Sequence, residues 1–259
     1  MPIPGPVSSR QDVPHIHQVL IDPTGRFLLA PDLGADVVRI FHINPTTGRL
    51  TEQQPLVGSP GSGPRHGVFW APRTGVNALQ RSRFYLVSEL DNSITGYDVA
   101  YSPNGTMLFC QFYESNSFGG ANPPTGSKAA GIVISVCLLP CTLQRIRLAN
   151  NTFYKPGNDR LIVSNRGDNI FGHGNDSIAV FSLPDLAQDD EVSFLGLYPA
   201  YGSFPRQFEF SPDGDMLAVA LQNSHQVAVI EWDVKHGLPG RLLSNVTLEG
   251  EVPAVVWDM

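Results

Sequence analysis

Hydrophobic and polar positions follow one order along the chain, and that order occurs four times. A short strand-like segment such as HQVLID comes first and a turn with Pro and Gly follows. An apolar segment such as RFLLAPD comes next, then a polar turn and a further apolar segment such as VVRIFHI. Short segments rich in Val, Ile, Leu and Phe between Gly, Pro and Asp turns are typical of β-strands. The pattern predicts repeated β-meanders.

Four repeat units cover most of the chain, at residues 14–62, 63–126, 127–203 and 204–259. Three or four strands in a unit of about 45 to 60 residues are the signature of a β-propeller blade. We therefore predict an all-β fold, a β-propeller with about four to five blades present in a single domain. A β-sandwich with regular hairpins is the alternative, and the recurring turn sequences favour the propeller.

Two of the turns have a clear chemical basis. Asp22 begins the turn Asp-Pro-Thr-Gly, and Asp213 lies within the turn Ser-Pro-Asp-Gly. Proline presets φ and glycine permits a positive φ, and tight turns need both. We interpret both aspartates as turn residues.

The segment 136–155 interrupts the third repeat unit. Its sequence, VCLLPCTLQRIRLANNTFYK, lacks the strand and turn order of the other units. Deleting it joins Ser135 to Pro156 and restores the pattern as AAGIVISPGNDRLIVSN. Our hypothesis is a retained intron, and a genuine loop insertion is the alternative. Sequencing the transcript distinguishes the two.

Composition and charge narrow the function classes. The chain has 259 residues, of which 42% are hydrophobic and 16% charged, with 25 Gly and 22 Pro. This composition disfavours a helix bundle and a disordered chain. The net charge of −7 comes without a basic stripe, which argues against nucleic acid as a partner. No apolar run reaches about 18 residues, so we expect no membrane span.

The cysteines do not indicate a disulfide scaffold or a zinc site. Only Cys110, Cys137 and Cys141 are present, and Cys-x3-Cys without further ligands is a weak metal signal. The N-terminus lacks the apolar core of a signal peptide. We expect reduced thiols, no bound metal or cofactor, and a cytoplasmic location. The oligomeric state is not determined by the sequence.

Five motifs together resemble the seven-bladed lactonase family, which includes bacterial-type 6-phosphogluconolactonase and the fungal carboxy-cis,cis-muconate lactonizing enzyme. The motifs are PHIHQVLIDPTGRFLLAPDLGADVVRIFHI, GSGPRHGVFWAP, YLVSELDNSITGY, IVSNRGDN and SFPRQFEFSPDG. The resemblance runs from Arg10 to Asp258 and implies part of a seven-bladed ring. Family members usually have two further blades before the first motif. We therefore expect an N-terminal truncation, either of the gene or through a wrongly assigned start.

The first strand of each propeller blade faces the central channel, so the residues that begin each unit are candidates for a site. His15 and His17 alternate on one strand. Arg65 and Arg206 begin the second and fourth units, and Glu89 ends the second strand of the second unit. By resemblance to the muconate enzyme, the second histidine, both arginines and the glutamate match its site residues. His15 is the nearest competitor of His17.

These residue types suit a small anionic substrate. Arginine presents a planar fork of donors that binds carboxylate or phosphate, so we expect Arg65, Arg206 and His15 to bind substrate. A lactonase must activate water and stabilise a carbonyl oxyanion. Glu89 or His17 could be the base and an arginine the oxyanion partner. Neither step requires a metal.

Each candidate also has a structural interpretation. Arg65 and Arg206 could pair with an aspartate of a neighbouring blade, and Glu89 could be such a partner. His15 could simply bond a backbone group at the start of a strand. His66 follows an arginine on a strand, and we expect it to point the other way.

The predicted function is hydrolysis of an anionic sugar-type lactone, as in 6-phosphogluconolactonase. One alternative is a muconate-type cycloisomerase that uses the same residues. Others are a non-catalytic propeller that binds partner proteins and an inactive truncated paralogue. The sequence has no Gly-x-Ser-x-Gly, P-loop or paired Cys-x2-Cys motif, which disfavours a serine hydrolase, a nucleotide-dependent enzyme and a structural zinc protein.

Overall fold

A computed structural model describes residues 5–70, 82–135, 138–139, 153–154, 159–184 and 191–258. The sequence also predicts the Pro and Gly turn of the second repeat unit, Ala-Pro-Arg-Thr-Gly, at 71–75. This turn and most of the segment 136–155, including two of the three cysteines, lie outside the described residues. Every regular element in the described ranges is a β-strand. This part of the chain contains no helix that is long and apolar enough to cross a membrane.

The described ranges contain nineteen strands, numbered in chain order. They are β1 (Leu20–Ile21), β2 (Phe27–Asp32), β3 (Val37–Ile43), β4 (Leu50–Glu52), β5 (Leu56–Val57), β6 (Pro64–Trp70), β7 (Ser82–Ser88), β8 (Ser93–Tyr101), β9 (Met107–Asn116), β10 (Lys128–Ser135), β11 (Leu138–Leu139), β12 (Phe153–Tyr154), β13 (Arg160–Arg166), β14 (Ser177–Ser182), β15 (Ser193–Pro199), β16 (Pro205–Phe210), β17 (Met216–Leu221), β18 (Gln226–Asp233) and β19 (Leu238–Thr247).

Four of the sheets are antiparallel meanders, in which neighbours along the chain are neighbours in the sheet. The first sheet has the order β1-β2-β3-β4, with β5 also paired to β3, and the second is β6-β7-β8-β9. The third is β10-β13-β14-β15 and the fourth is β16-β17-β18-β19. The predicted all-β meander pattern is confirmed. Among the residues that the structure describes, the short strands β11 and β12 pair only with each other.

The chain divides into two compact units, Met1–Asn116 and Ser117–Met259. In the first unit, an apolar cluster joins the first two sheets. It contains Phe27, Leu29, Val38, Ile40, Phe84, Leu86, Tyr97, Val99 and Met107, which are all buried. Burial of this many large side chains is the main stabilising term for the pair of sheets.

In the second unit, a similar cluster joins the third and fourth sheets. It contains Ile162, Ile178, Ala200, Phe208, Leu217, Val219, Leu221, Ala228, Ile230 and Trp232. Each unit therefore has its own core, built from the apolar positions of two successive meanders. The assignment of the whole chain to a single domain stays a prediction.

The turn between the first two strands is closed by the same backbone bond in the first and fourth sheets. The Asp22 N–H donates to the Phe27 carbonyl at 3.0 Å, and the Ser211 N–H donates to the Met216 carbonyl at 2.9 Å. Four residues, beginning with proline, lie inside each turn. The predicted turn role of Asp22 is confirmed, because its carboxylate also accepts the Phe27 N–H at 2.7 Å.

The third sheet has the same ladder position but a longer connection. Ser135 pairs with Arg160 in the β10–β13 ladder. The 24 residues 136–159 connect the two, and they include the suspected insertion. The last four of them, Pro-Gly-Asn-Asp, correspond in number and in first residue to the turns of the first and fourth sheets.

Candidate functional site

Arg65 lies on a β-bulge at the start of the second sheet. Pro64 pairs with Ser88, the last residue of β7, and the ladder resumes at His66 with Val87, so Arg65 is the extra residue. A bulge bends its strand and re-aims the side chain it carries. It also interrupts the alternation of faces, and Arg65 Nη1 lies 3.3 Å from His66 Nε2. The expectation that His66 points away from Arg65 is therefore wrong.

Arg206 lies on the same irregularity in the fourth sheet. Pro205 pairs with Leu221, the last residue of β17, and the ladder resumes at Gln207. Arg206 is again the extra residue, one position after the proline. Its side chain is half-buried, whereas that of Arg65 is almost completely buried.

His17 occupies the equivalent position in the first sheet. Ile16 forms an isolated bridge with Asp32, the last residue of β2, just as each proline pairs with the last residue of a second strand. His17 follows that bridge directly and thus corresponds to Arg65 and Arg206. Three of the predicted site residues share one repeat position, which supports the idea that the start of each unit carries the chemistry.

The third sheet presents no functional group at this position. Lys128 pairs with Arg166, the last residue of β13, so the equivalent residue is Ala129. The repeat position is therefore occupied by a histidine, an arginine, an alanine and an arginine in the four sheets.

The residue that follows the second strand is the partner of the arginine. Arg65 Nε donates to Glu89 Oε2 at 2.9 Å, and both side chains are almost fully buried. Arg206 Nη1 donates to Gln222 Oε1 at 3.0 Å. Sequence reasoning identified Glu89 but missed Gln222. The available signal was its place directly after the apolar strand MLAVAL, because Glu89 follows its own apolar strand in the same way.

Glu89 also pairs with an arginine that sequence reasoning missed. Arg10 Nη2 lies 2.6 Å from Glu89 Oε1, although the Arg10 side chain is 44% exposed. The neighbouring Gln11 is fully buried and fixes this segment. Its Nε2 donates to Asp36 Oδ1 at 2.7 Å and to the Leu33 carbonyl at 2.9 Å.

The two arginines restrict what Glu89 can do. Each carboxylate oxygen faces one guanidinium group, from Arg65 on one side and Arg10 on the other. The contact with Arg65 is a charge-assisted hydrogen bond, whereas the contact with Arg10 is an ion pair without hydrogen-bond geometry. Protonation of Glu89 would weaken both interactions. The geometry favours an ion-pair partner over a general base.

Two buried aspartates hold the backbone just before the arginines. Asp36 Oδ1 accepts the Gly63 N–H at 2.9 Å, and Asp176 Oδ2 accepts the Phe204 N–H at 2.7 Å. In each case the donor lies two residues before the arginine of the bulge. The aspartate stands directly before the third strand of its sheet, so the polar turn of one sheet fixes the entry to the next.

His15 is engaged in a local pair. Its Nε2 lies 3.1 Å from Asp12 Oδ1, and its backbone N–H donates to Asp32 Oδ1 at 2.8 Å. The hydrogen bond with His15 is the main cause that holds the pKa of Asp12 below its ordinary value. His15 therefore has a carboxylate partner at the exposed start of the segment.

The segment of His17 lies against the strand of Arg65. The His17 N–H donates to the Pro31 carbonyl at 3.3 Å. The next side chain, Gln18, accepts the Gly67 N–H through Oε1 at 2.7 Å. This contact connects the residue after His17 to β6 and holds the two segments side by side.

The acidic loop of the third sheet supports the backbone. Asp168 Oδ2 accepts the Ser177 hydroxyl at 2.6 Å and its N–H at 3.1 Å. Burial raises the pKa of Asp168 above its ordinary value. Across the described ranges, no three His, Cys, Asp or Glu side chains are grouped so that they could hold a metal ion.

Comparison with known proteins gives one consistent family. The profile of the family described as "Lactonase, 7-bladed beta-propeller" matches residues 1–257. A protein of the fungus Arthroderma benhamiae named "Probable 6-phosphogluconolactonase" is 29% identical over 234 residues, covering 90% of this chain and 51% of the relative. The 6-phosphogluconolactonase of Formosa agariphila is 28% identical over 250 residues, covering 95% of this chain and 59% of the relative.

A solved structure agrees with these relatives. The periplasmic gluconolactonase of Pseudomonas aeruginosa superposes with a TM-score of 0.67 at 26% identity, covering 94% of this chain and 57% of that protein. The chain thus spans between about half and three-fifths of the length of these relatives. The predicted β-propeller class is confirmed.

Proposed function

Because the chain belongs to the seven-bladed β-propeller lactonase family, we propose that it hydrolyses an anionic sugar lactone of the 6-phosphogluconolactone type. The relatives named above carry that activity in their names. The structural observation that carries the proposal is the repeat position shared by His17, Arg65 and Arg206. A histidine and two arginines at one position of successive units are residue types that suit an anionic substrate.

In the proposed reaction His17 is the general base. Its imidazole takes a proton from water as the oxygen of that water adds to the lactone carbonyl carbon. The tetrahedral intermediate then breaks its ring C–O bond, and the leaving ring oxygen takes the proton back from the imidazolium. A neutral imidazole ring has one nitrogen that accepts a proton, and the imidazolium can return it, which suits both transfers. Glu89 is less suited, since both of its oxygens already face arginines.

The arginines supply positive charge in this proposal. Glu89 fixes the guanidinium of Arg65, and because this side chain is almost completely buried we assign to it the positive field around the developing oxyanion, without direct contact. Arg206 is bonded to a neutral amide, and we assign it to the anionic group of the substrate.

The test is hydrolysis of 6-phosphoglucono-δ-lactone by the whole chain, followed in a pH-stat and corrected for spontaneous opening. We expect His17→Ala to lower kcat about 10²–10⁴-fold, the usual range for loss of a general base. Arg206→Ala should lower kcat/KM about 100-fold or more. Glucono-δ-lactone, which lacks the phosphate, serves as the neutral substrate.

Two surface variants provide matched controls. His236→Ala and Arg241→Ala remove the same side-chain types from positions where 58% and 79% of the side chain is exposed. Both should leave the rates unchanged. If the wild-type chain does not exceed the spontaneous rate on either lactone, the proposal is refuted and a non-catalytic role replaces it.

The expected cytoplasmic location and the absence of a cofactor stay predictions. A solved relative is described as periplasmic, so relatives in this family occur in more than one compartment. Fractionation of cells that express the chain with an epitope tag would determine the location.

A further inference from the structure

We propose that Gln222 is a positioning residue that holds Arg206 ready for an anionic ligand without neutralising its charge. The inference deepens the proposed function and rests on it. It explains why Arg206 of the fourth sheet, and not Arg65 of the second, binds the anionic group, because the partner of Arg206 is uncharged.

The second and fourth sheets share one arrangement and differ in the charge of the partner residue. In both, an arginine on a bulge donates to the residue that directly follows the second strand. That residue is Glu89 in the second sheet and Gln222 in the fourth. Arg65 is therefore paired with a buried carboxylate, whereas Arg206 is paired with an amide oxygen.

The charge of Arg206 remains available within its own unit. In the described part of the second unit, the Arg206 side chain donates a hydrogen bond to Gln222, and this partner carries no negative charge. A guanidinium has five N–H donors, and the amide uses one of them. The side chain is half-buried, so it is both restrained and reachable by a ligand.

A second contact fixes which way the amide of Gln222 points. Its Nε2 donates to Glu251 Oε2 at 2.6 Å. Because the carboxylate can only accept, it takes the NH₂ group and leaves the carbonyl oxygen directed at Arg206. The side chain of Gln222 thus lies between the Glu251 carboxylate and the Arg206 guanidinium. It orients the guanidinium and carries no negative charge of its own.

A carboxylate at position 222 would reproduce the ion pair of the second sheet. It would compete with a phosphate or carboxylate ligand for the same guanidinium donors. We expect Gln222→Glu to raise the Kd for inorganic phosphate at least about 10-fold. The KM for 6-phosphoglucono-δ-lactone should rise by a similar factor, while the KM for neutral glucono-δ-lactone changes less than about twofold.

A double variant separates charge cancellation from repulsion. In Gln222→Glu alone the new carboxylate would face Glu251. In Gln222→Glu/Glu251→Gln the net charge and the hydrogen bond between the two positions are both kept. The double variant should still lose phosphate affinity, and Glu251→Gln alone should not. Thermal unfolding followed by circular dichroism checks that each variant is folded.

The phosphate affinities of these variants test the role of Gln222 without requiring catalysis. If the folded double variant binds phosphate and discriminates between the lactones like the wild type, the inference is overturned. It is also overturned if the wild type does not bind phosphate. If the wild type binds phosphate but opens neither lactone, the proposed function fails and the phosphate affinities still test the role of Gln222.

Discussion

Deleting residues 136–155 should stabilise the chain. The deletion joins Ser135 to the four residues Pro-Gly-Asn-Asp that precede Arg160. Ser135 and Arg160 already pair in the β10–β13 ladder, so the shortened connection has the correct span. The fourth sheet offers the template, because Ser211 and Met216 close a turn of the same length.

The expected gain follows from the length of the connection. Closing a connection costs (3/2)RT ln n, and n falls from the 24 residues 136–159 to four. The difference is about 1.6 kcal/mol at 25 °C. For a chain of this size, 1.6 kcal/mol corresponds to a rise in Tm of about 3–6 °C.

Urea unfolding and differential scanning calorimetry of the wild-type and deleted chains measure this gain. A variant in which the same twenty residues are scrambled provides the control. If the segment acts only as a connection, scrambling changes nothing and deletion stabilises. If deletion lowers the free energy of unfolding and scrambling does so too, the segment packs specifically, and the retained-intron hypothesis loses its structural support.

Three further changes test the packing of the sheets. Asp36→Asn removes a buried carboxylate acceptor of backbone N–H groups and should cost about 2 kcal/mol in urea unfolding, whereas the exposed Asp213→Asn should cost under about 0.5. Gly67→Ala would place a methyl group 2.3 Å from the buried Phe84 ring and should cost about 1–3 kcal/mol; an unchanged Tm would contradict the close packing. Burial raises the pKa of Tyr101, so the stability it contributes is present below about pH 10 and is lost at higher pH, as ionisation favours the unfolded chain. Tyr101→Phe should reduce this alkaline loss, measured as the difference in urea midpoint between pH 8 and pH 11.

The meanders could be predicted from the sequence because local chemistry determines them. The turns at Asp22 and Ser211 have proline and glycine where the backbone requires them, and the strands between them are continuous apolar runs. Because each turn joins two strands that lie side by side, the order of the strands in the sheet follows their order along the chain. The start of each unit also indicated where His17, Arg65 and Arg206 would lie.

The sequence named Glu89 as a possible ion-pair partner, but it did not predict which arginine Glu89 contacts, since that pairing depends on register. The bulge at Arg65 shifts the ladder by one residue, which brings His66 beside it and places Glu89 opposite. A strand pattern with a period of two has no signal for such a shift. Arg10 was missed for a different reason. Its contact with Glu89 depends on the buried Gln11, and a lone glutamine in a polar segment gives no indication of burial.

The bulges also have a consequence for how recognition could be re-engineered. The hydrogen bonds of the ladder around each bulge are made by backbone groups. The ladder therefore does not depend on which side chain the bulge residue carries. The bulges of the second and fourth sheets thus each place one arginine outside the ladder, and Ala129 shows that the third sheet forms without a polar side chain at the corresponding position. Ligand preference in such an architecture could be rewritten sheet by sheet, with no need to redesign the scaffold that carries it.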